Sequence, residues 1–199
     1  MRILIIGATG TIGAPLVAAL AQHDLVLASR ERAAEQVDLG DPASIRELYR
    51  RVGRVDAVVS AAGAARFAPL QALSDEDFAF SLGNKLMGQV NLVRFGMDAV
   101  SDGGSFTLTS GVLAQQPMPG SAAISLVNAG VEGFVRAAAL ELPRGQRVNV
   151  VSPPWVSETL VSMGQDPAGG LPAADVARAY LRSIDGDETG SVISPERMR

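Results

Sequence analysis

Seven residues, Gly7-Ala8-Thr9-Gly10-Thr11-Ile12-Gly13, stand between an apolar run at residues 3–6 and a stretch with helical periodicity, and they restrict the fold more than anything else in the chain. Glycines there permit a tight turn and close approach of the backbone to a ligand, while the following helix points its free N–H groups back at the turn. Such a site suits a pyrophosphate, because those N–H groups and the positive end of the helix dipole both face it. Taken alone, the Gly-x-x-Gly-x-x-Gly spacing is also what a tight strand-to-helix turn needs. In the first strand–turn–helix unit of an alternating chain it reads as a dinucleotide-binding loop, with Gly7, Thr9, Gly10, Thr11, Ile12 and Gly13 at the phosphates.

The rest of the chain does alternate. Candidate strands are residues 3–6, 25–28, 36–39, 57–60, 105–109, 147–151 and 191–194. Helical patterns lie between them at 13–21, at 42–51 with Asp41 as N-cap, from near Ser74 to about Met97, and at 121–141 and 173–184. This order predicts an α/β fold: a single Rossmann-type domain over 1–199, doubly wound, with a parallel sheet flanked by helices. Ser74-Asp75-Glu76-Asp77 reads as a capping box. Residues 164–172, rich in Gly, Pro and Ala, read as a loop able to act as a lid.

Composition removes several functions. The net charge is -4, the pI is near 5.0, and no basic run occurs, so no nucleic-acid partner is expected. Without cysteine there is no disulfide, thiolate nucleophile or Cys-ligated zinc, which suits a cytoplasmic protein, and a single histidine, His23, excludes a multi-histidine metal site. No metal is expected. Every apolar run is interrupted well short of the roughly 20 residues that span a bilayer, so no membrane partner is expected either.

An acid at the end of the second strand would grip a ribose 2′-hydroxyl; this chain has Ala28-Ser29-Arg30, with Arg32 close by. Guanidinium groups there suit a 2′-phosphate, so NADP(H) is favoured over NAD(H), the other reading being solvated surface arginines. Asp38-Leu39, ending the third strand, falls where an adenine edge is held or where a turn is capped.

These residues, with Val37-Asp38-Leu39, Ser60-Ala61-Ala62-Gly63, the run Arg147 to Pro153 and Thr189-Gly190-Ser191-Val192-Ile193, resemble the short-chain dehydrogenase/reductase superfamily over nearly the whole chain. The resemblance implies a seven-stranded doubly wound sheet, a dinucleotide across the C-terminal strand ends, and a hydride-transfer ancestry. It places Ala61, Ala62, Gly63, Asn128 and Pro153 beside the cofactor and implies a homodimer or homotetramer built through two long central helices.

Enzymes of that family use a Tyr-x-x-x-Lys pair, a Ser ending the fifth strand and an Asn on the helix before it. Here the pattern departs. The segment Asn128 to Phe134 matches the stretch beginning at the family lysine, which puts Asn128 at that position and Ile124 at the tyrosine position. The serine position falls on Ser110 or Gly111, and the asparagine position on Asn84 or on Lys85, which precedes Gly88 by three residues. Lys85, the sole lysine beside sixteen arginines, is either a solvated helix residue or a cleft amine replacing the missing phenol. Tyr49 and Tyr180 read as packing residues, Glu132 and Glu141 as surface or interface charges, and Trp155 as a pocket wall or a packing residue. Two functions follow: an NADP(H)-dependent oxidoreductase for a small carbonyl or hydroxyl compound with relocated acid–base groups, or a dinucleotide-binding sensor or partner without redox chemistry. The largely uncharged stretches 113–119 and 155–163 favour an uncharged or moderately hydrophobic small-molecule substrate.

Overall fold

A computed structural model describes residues 1–196. Seven strands form one parallel sheet of order β3-β2-β1-β4-β5-β6-β7: β1 (Arg2–Ile6), β2 (Asp24–Ser29), β3 (Glu35–Gln36), β4 (Val55–Ser60), β5 (Val100–Thr109), β6 (Arg147–Val151) and β7 (Val192–Ile193). The helices are α1 (Gly13–Ala19), α2 (Pro42–Val52), α3 (Asp75–Ser81), α4 (Gly88–Gly96), α5 (Ala122–Ala138), α6 (Ser157–Ser162) and α7 (Ala173–Asp185).

The period of two along each strand divides the core between the sheet's faces. Leu4, Ile6, Val58, Phe106 and Val150 pack with Ile45 and Leu48 of α2, Leu92 of α4 and Val131 and Val135 of α5. Ile3, Ile5, Val59 and Val151 pack on the other face with Leu16 of α1 and Val176, Tyr180 and Ile184 of α7. Each fully buried Leu or Ile stabilises the fold by about 1.5–3 kcal/mol. Tyr49 and Tyr180 lie in these two layers, their hydroxyls bonded to Leu92 O and Thr109 Oγ1 at 2.6 Å each. Burial raises the pKa of both phenols.

Four elements differ most from expectation, apart from end shifts such as the last strand's shortening to Val192–Ile193 and the helix Ala122–Ala138 ending three residues early. The third strand, expected at 36–39, is Glu35–Gln36: Asp38 Oδ1 accepts the Gly40 N–H at 2.8 Å, and this turn takes the chain off the sheet edge. The fifth strand begins five residues earlier, at Val100, because Val100 still pairs with Val55 beyond a register shift between Val55 and Ala57. The long helix expected after Ser74 is broken into α3, a wide π-helical turn at Leu82–Met87, and α4. Its start is the predicted capping box, with Ser74 and Asp77 bonded reciprocally.

The fourth difference is the lid-like loop at 164–172. Leu171 forms a parallel bridge with Val156, its N–H bonding to Trp155 O at 2.8 Å, and the loop follows a short helix, α6, that the sequence pattern did not suggest. Its C-terminal end is therefore clamped. Among the described residues no helix is long and apolar enough to cross a membrane, and no cluster of three or more His, Cys, Asp or Glu side chains could hold a metal.

Candidate active site

At the C-terminal end of β1 the chain turns through Gly7 at φ 84°, and its N–H and that of Ala8 both bond to Ala28 O of β2. A Cβ on Gly7 would lie 2.7 Å from Ala61 O, and one on Gly13 only 1.9 Å from Gly7 O. Both glycines are thus required by close backbone approach and not by flexibility alone. No side chain caps the start of α1, and Thr9 and Thr11 are exposed beside it.

A hollow of about 250 Å³ adjoins this loop, lined by Gly7, Ser29, Arg30, Asp38, Leu39, Ala62, Gly63 and Asn84 among others. The sequence reading left no acid at the end of β2. The turn that shortens β3 brings one there: Asp38 Oδ2 lies 3.6 Å from the Arg30 guanidinium. Ser29 Oγ accepts the Arg32 N–H at 2.8 Å, and Arg32 borders a different hollow with Ala8, Thr9 and Ala33. Asn84 lines the hollow with Arg30 and Asp38, its Oδ1 accepting the Ala64 N–H at 2.8 Å.

Next to it lies a second cavity, of about 200 Å³, with Lys85, Ser110, Gly111, Leu113, Ile124, Asn128, Pro153, Pro154, Trp155 and Thr159 in its lining. Asn84 and Lys85, neighbours in sequence on the π-helical turn, point apart and line different hollows. Lys85 is buried, and its Nζ donates to Ser110 O at 3.4 Å. Burial lowers its pKa to about 8. The buried Gln89 amide fixes that stretch, donating to Lys85 O and Thr109 O at 3.0 and 2.8 Å and accepting Thr109 N–H at 2.7 Å.

Ser110, weighed as a substrate-binding hydroxyl, gives that hydroxyl to Glu132 Oε1 at 2.9 Å; its carbonyl is what meets Lys85. Gly111 faces Asn128, whose Nδ2 would lie 3.1 Å from a Cβ there. Asn128 is 1% exposed, and its Oδ1 is a buried acceptor without a hydrogen-bond partner among the described residues. Ile124 and Asn128, four residues apart on α5, line the same cavity. Glu132, expected as a surface or interface charge, is 4% exposed, its other oxygen accepting Gln115 Nε2 at 2.9 Å. Glu141 is exposed as expected, and His23 lies between α1 and β2, distant in the fold from the C-terminal strand ends. The sequence reading missed Gln89 and the buried role of Glu132. The only signal for Gln89 was a polar residue on an otherwise apolar helical face.

A parallel sheet of this order, with a glycine loop after its first strand and hollows along the C-terminal strand ends, defines a Rossmann-type protein. Residues 12–194 match the family model described as enoyl-(acyl carrier protein) reductase, and the chain belongs to the short-chain dehydrogenase/reductase superfamily. It is similar to the crystal structure of the protein lin1944 from Listeria innocua, with 40% identity, a TM-score of 0.94 and 98% of each chain covered. It is also similar to a small-chain dehydrogenase crystallised in complex with NADPH, with 26% identity, a TM-score of 0.86, and 98% of this chain and 96% of that one covered. Hydroxynaphthalene reductase arp2 of Aspergillus fumigatus is 33% identical over 117 residues, 58% of this chain and 43% of that enzyme. The match thus spans less than half of that curated relative.

Proposed function

We propose that the protein is an NADP(H)-dependent oxidoreductase acting on a small uncharged carbonyl or hydroxyl compound. The observation that carries this reading is the pair of hollows at the C-terminal strand ends, which adjoin where Gly63 packs against Lys85. The residues fit a dinucleotide. Gly7 and Gly13 leave a cradle that no Cβ could enter, and the unpartnered Asn128 Oδ1 is an acceptor suited to a ribose hydroxyl. The first hollow takes the adenosine half, with Arg30 toward a 2′-phosphate and Ala62 and Leu39 along the base, while Arg32 borders the neighbouring hollow and Ala61 packs behind Gly7. The second takes the nicotinamide and the substrate, with Pro153, Trp155 and Ile124 excluding water.

When bound, the nicotinamide exchanges a hydride with the substrate carbon. Apart from Lys85 the second cavity is lined by uncharged side chains, which supports an uncharged substrate. A cytoplasmic setting and a homodimer or homotetramer belong to the same proposal. Exposed Phe80, Met87 and Leu126, on α3, the π-helical turn and α5, are surface for self-association.

Calorimetry with NADPH and NADH, followed by NADPH oxidation against a panel of aldehydes, ketones and quinones, tests the reading. The expected result is NADPH binding about tenfold tighter than NADH, followed by turnover of at least one carbonyl. Failure to bind either dinucleotide sinks it. A dinucleotide-binding sensor is the second reading, favoured by the absence of any phenol from the cavity, since Tyr49 and Tyr180 are both in the core. Tight NADPH binding without oxidation across the panel decides for it.

A further inference from the structure

Within the second cavity the candidates for a proton donor are few. The Ser110 hydroxyl is taken by Glu132, and Thr159 offers only an alcohol. Asn128, Ile124, Trp155 and the two prolines hold no proton of useful acidity. That leaves the chain's one lysine, whose stem packs against Gly63, where a Cβ would lie 3.1 Å from Lys85 Cγ. Its Nζ makes one long hydrogen bond and no ion pair among the described residues, so the ammonium keeps N–H groups available to a substrate oxygen. The Gln89 bridge fixes its backbone relative to the end of β5, as a donor with a defined target requires.

We propose that Lys85 is the proton donor at the substrate oxygen, its ammonium Nζ doing what a phenol does elsewhere in the superfamily; this rests on the reductase reading above. As the substrate carbon accepts a hydride from the dihydronicotinamide, the carbonyl π electrons move onto oxygen. That oxygen takes a proton from Nζ, leaving a neutral amine that water re-protonates. In the oxidative direction the neutral amine takes the hydroxyl proton.

The surroundings of Nζ suit this task. From α5 the nearest carboxylate in the network is Glu132, which reaches Ser110 Oγ and Gln115 and not the amine. On α6, Glu158 is bonded to the Ala173 N–H. With no anion beside it, the buried ammonium releases its proton near pH 8, within reach of working conditions.

The first measurement does not depend on turnover. Isotope-labelled lysine gives a single Nζ resonance, because the chain has one lysine, and in the folded protein it should titrate near pH 8. The second compares Lys85→Met with the parent. Turnover should fall by about a hundredfold to ten-thousandfold while NADPH affinity stays within about twofold. Lys85→Arg should not rescue it, since a guanidinium holds its proton. Unchanged turnover in Lys85→Met, or an Nζ that titrates at its ordinary value in the folded protein, overturns the assignment of Lys85 and leaves the reductase reading standing. A parent protein that binds NADPH and reduces nothing in the panel overturns that reading instead, and the donor role with it.

Discussion

Lys85 is costly to the fold. Its amine titrates near 8 in the folded protein against 10.5 for an ordinary lysine, so between these values the unfolded chain holds a proton that the folded chain has released. Stability therefore rises with pH across that window, and below it the folded state bears the full penalty of a buried charge. Lys85→Met should raise the unfolding free energy at pH 7 by on the order of 3 kcal/mol, and the gain should shrink toward zero as pH passes 10.5. Chemical denaturation of both proteins at pH 7 and at high pH checks this; a gain independent of pH would show that methionine simply packs better. The glycine spacing and the lone lysine were legible in the sequence because each is a local fact about residue type. The burial of Glu132 was not, since it depends on Ser110 and Gln115, which reach it from another segment.

Among the elements, the strands and most helices followed from apolar periodicity, but the break in the helix after Ser74 did not. Apolar residues continue through Leu82–Met87 at helical spacing, and the wide turn depends on contacts such as Gly88 against the Leu39 backbone, where a Cβ would come within 2.7 Å of the carbonyl oxygen. Gln89 holds this turn to β5. Gln89→Leu removes three buried hydrogen bonds and leaves Thr109 N–H without its acceptor, which should destabilise the protein by about 2–4 kcal/mol and lower turnover more than NADPH affinity. Equal loss of both would mean that the amide serves the fold alone. At the other end of the cleft, the two-residue β3 brings Asp38 to Arg30, where its carboxylate competes with a 2′-phosphate for the guanidinium. Arg30→Ala should cost about tenfold in NADPH affinity with little effect on NADH, while Asp38→Asn should raise NADPH affinity severalfold, both by calorimetry. A loss for NADPH in Asp38→Asn would mean that the carboxylate holds the nucleotide itself.

Taken whole, the molecule is two apolar layers on one sheet, with two adjoining hollows at the C-terminal strand ends, and the walls of the inner hollow are built differently. The wall carrying Lys85 is fastened to the sheet by a fully buried amide, so the π-helical turn cannot slide along β5 without breaking all of its bonds together. The opposite wall, carrying Trp155 and Thr159, leads into the six-residue α6, which lacks a side-chain cap and is held by the Val156–Leu171 bridge and by Glu158 reaching the start of α7. Hydrogen exchange should accordingly be faster in α6 than at Gln89, and bound NADPH should slow it mainly at 155–163; equal protection on both sides would contradict this. A vice with one fixed jaw and one light jaw divides the labour: under the proposed function, exchanging the short α6 for that of a relative should change what fits without disturbing Lys85 opposite.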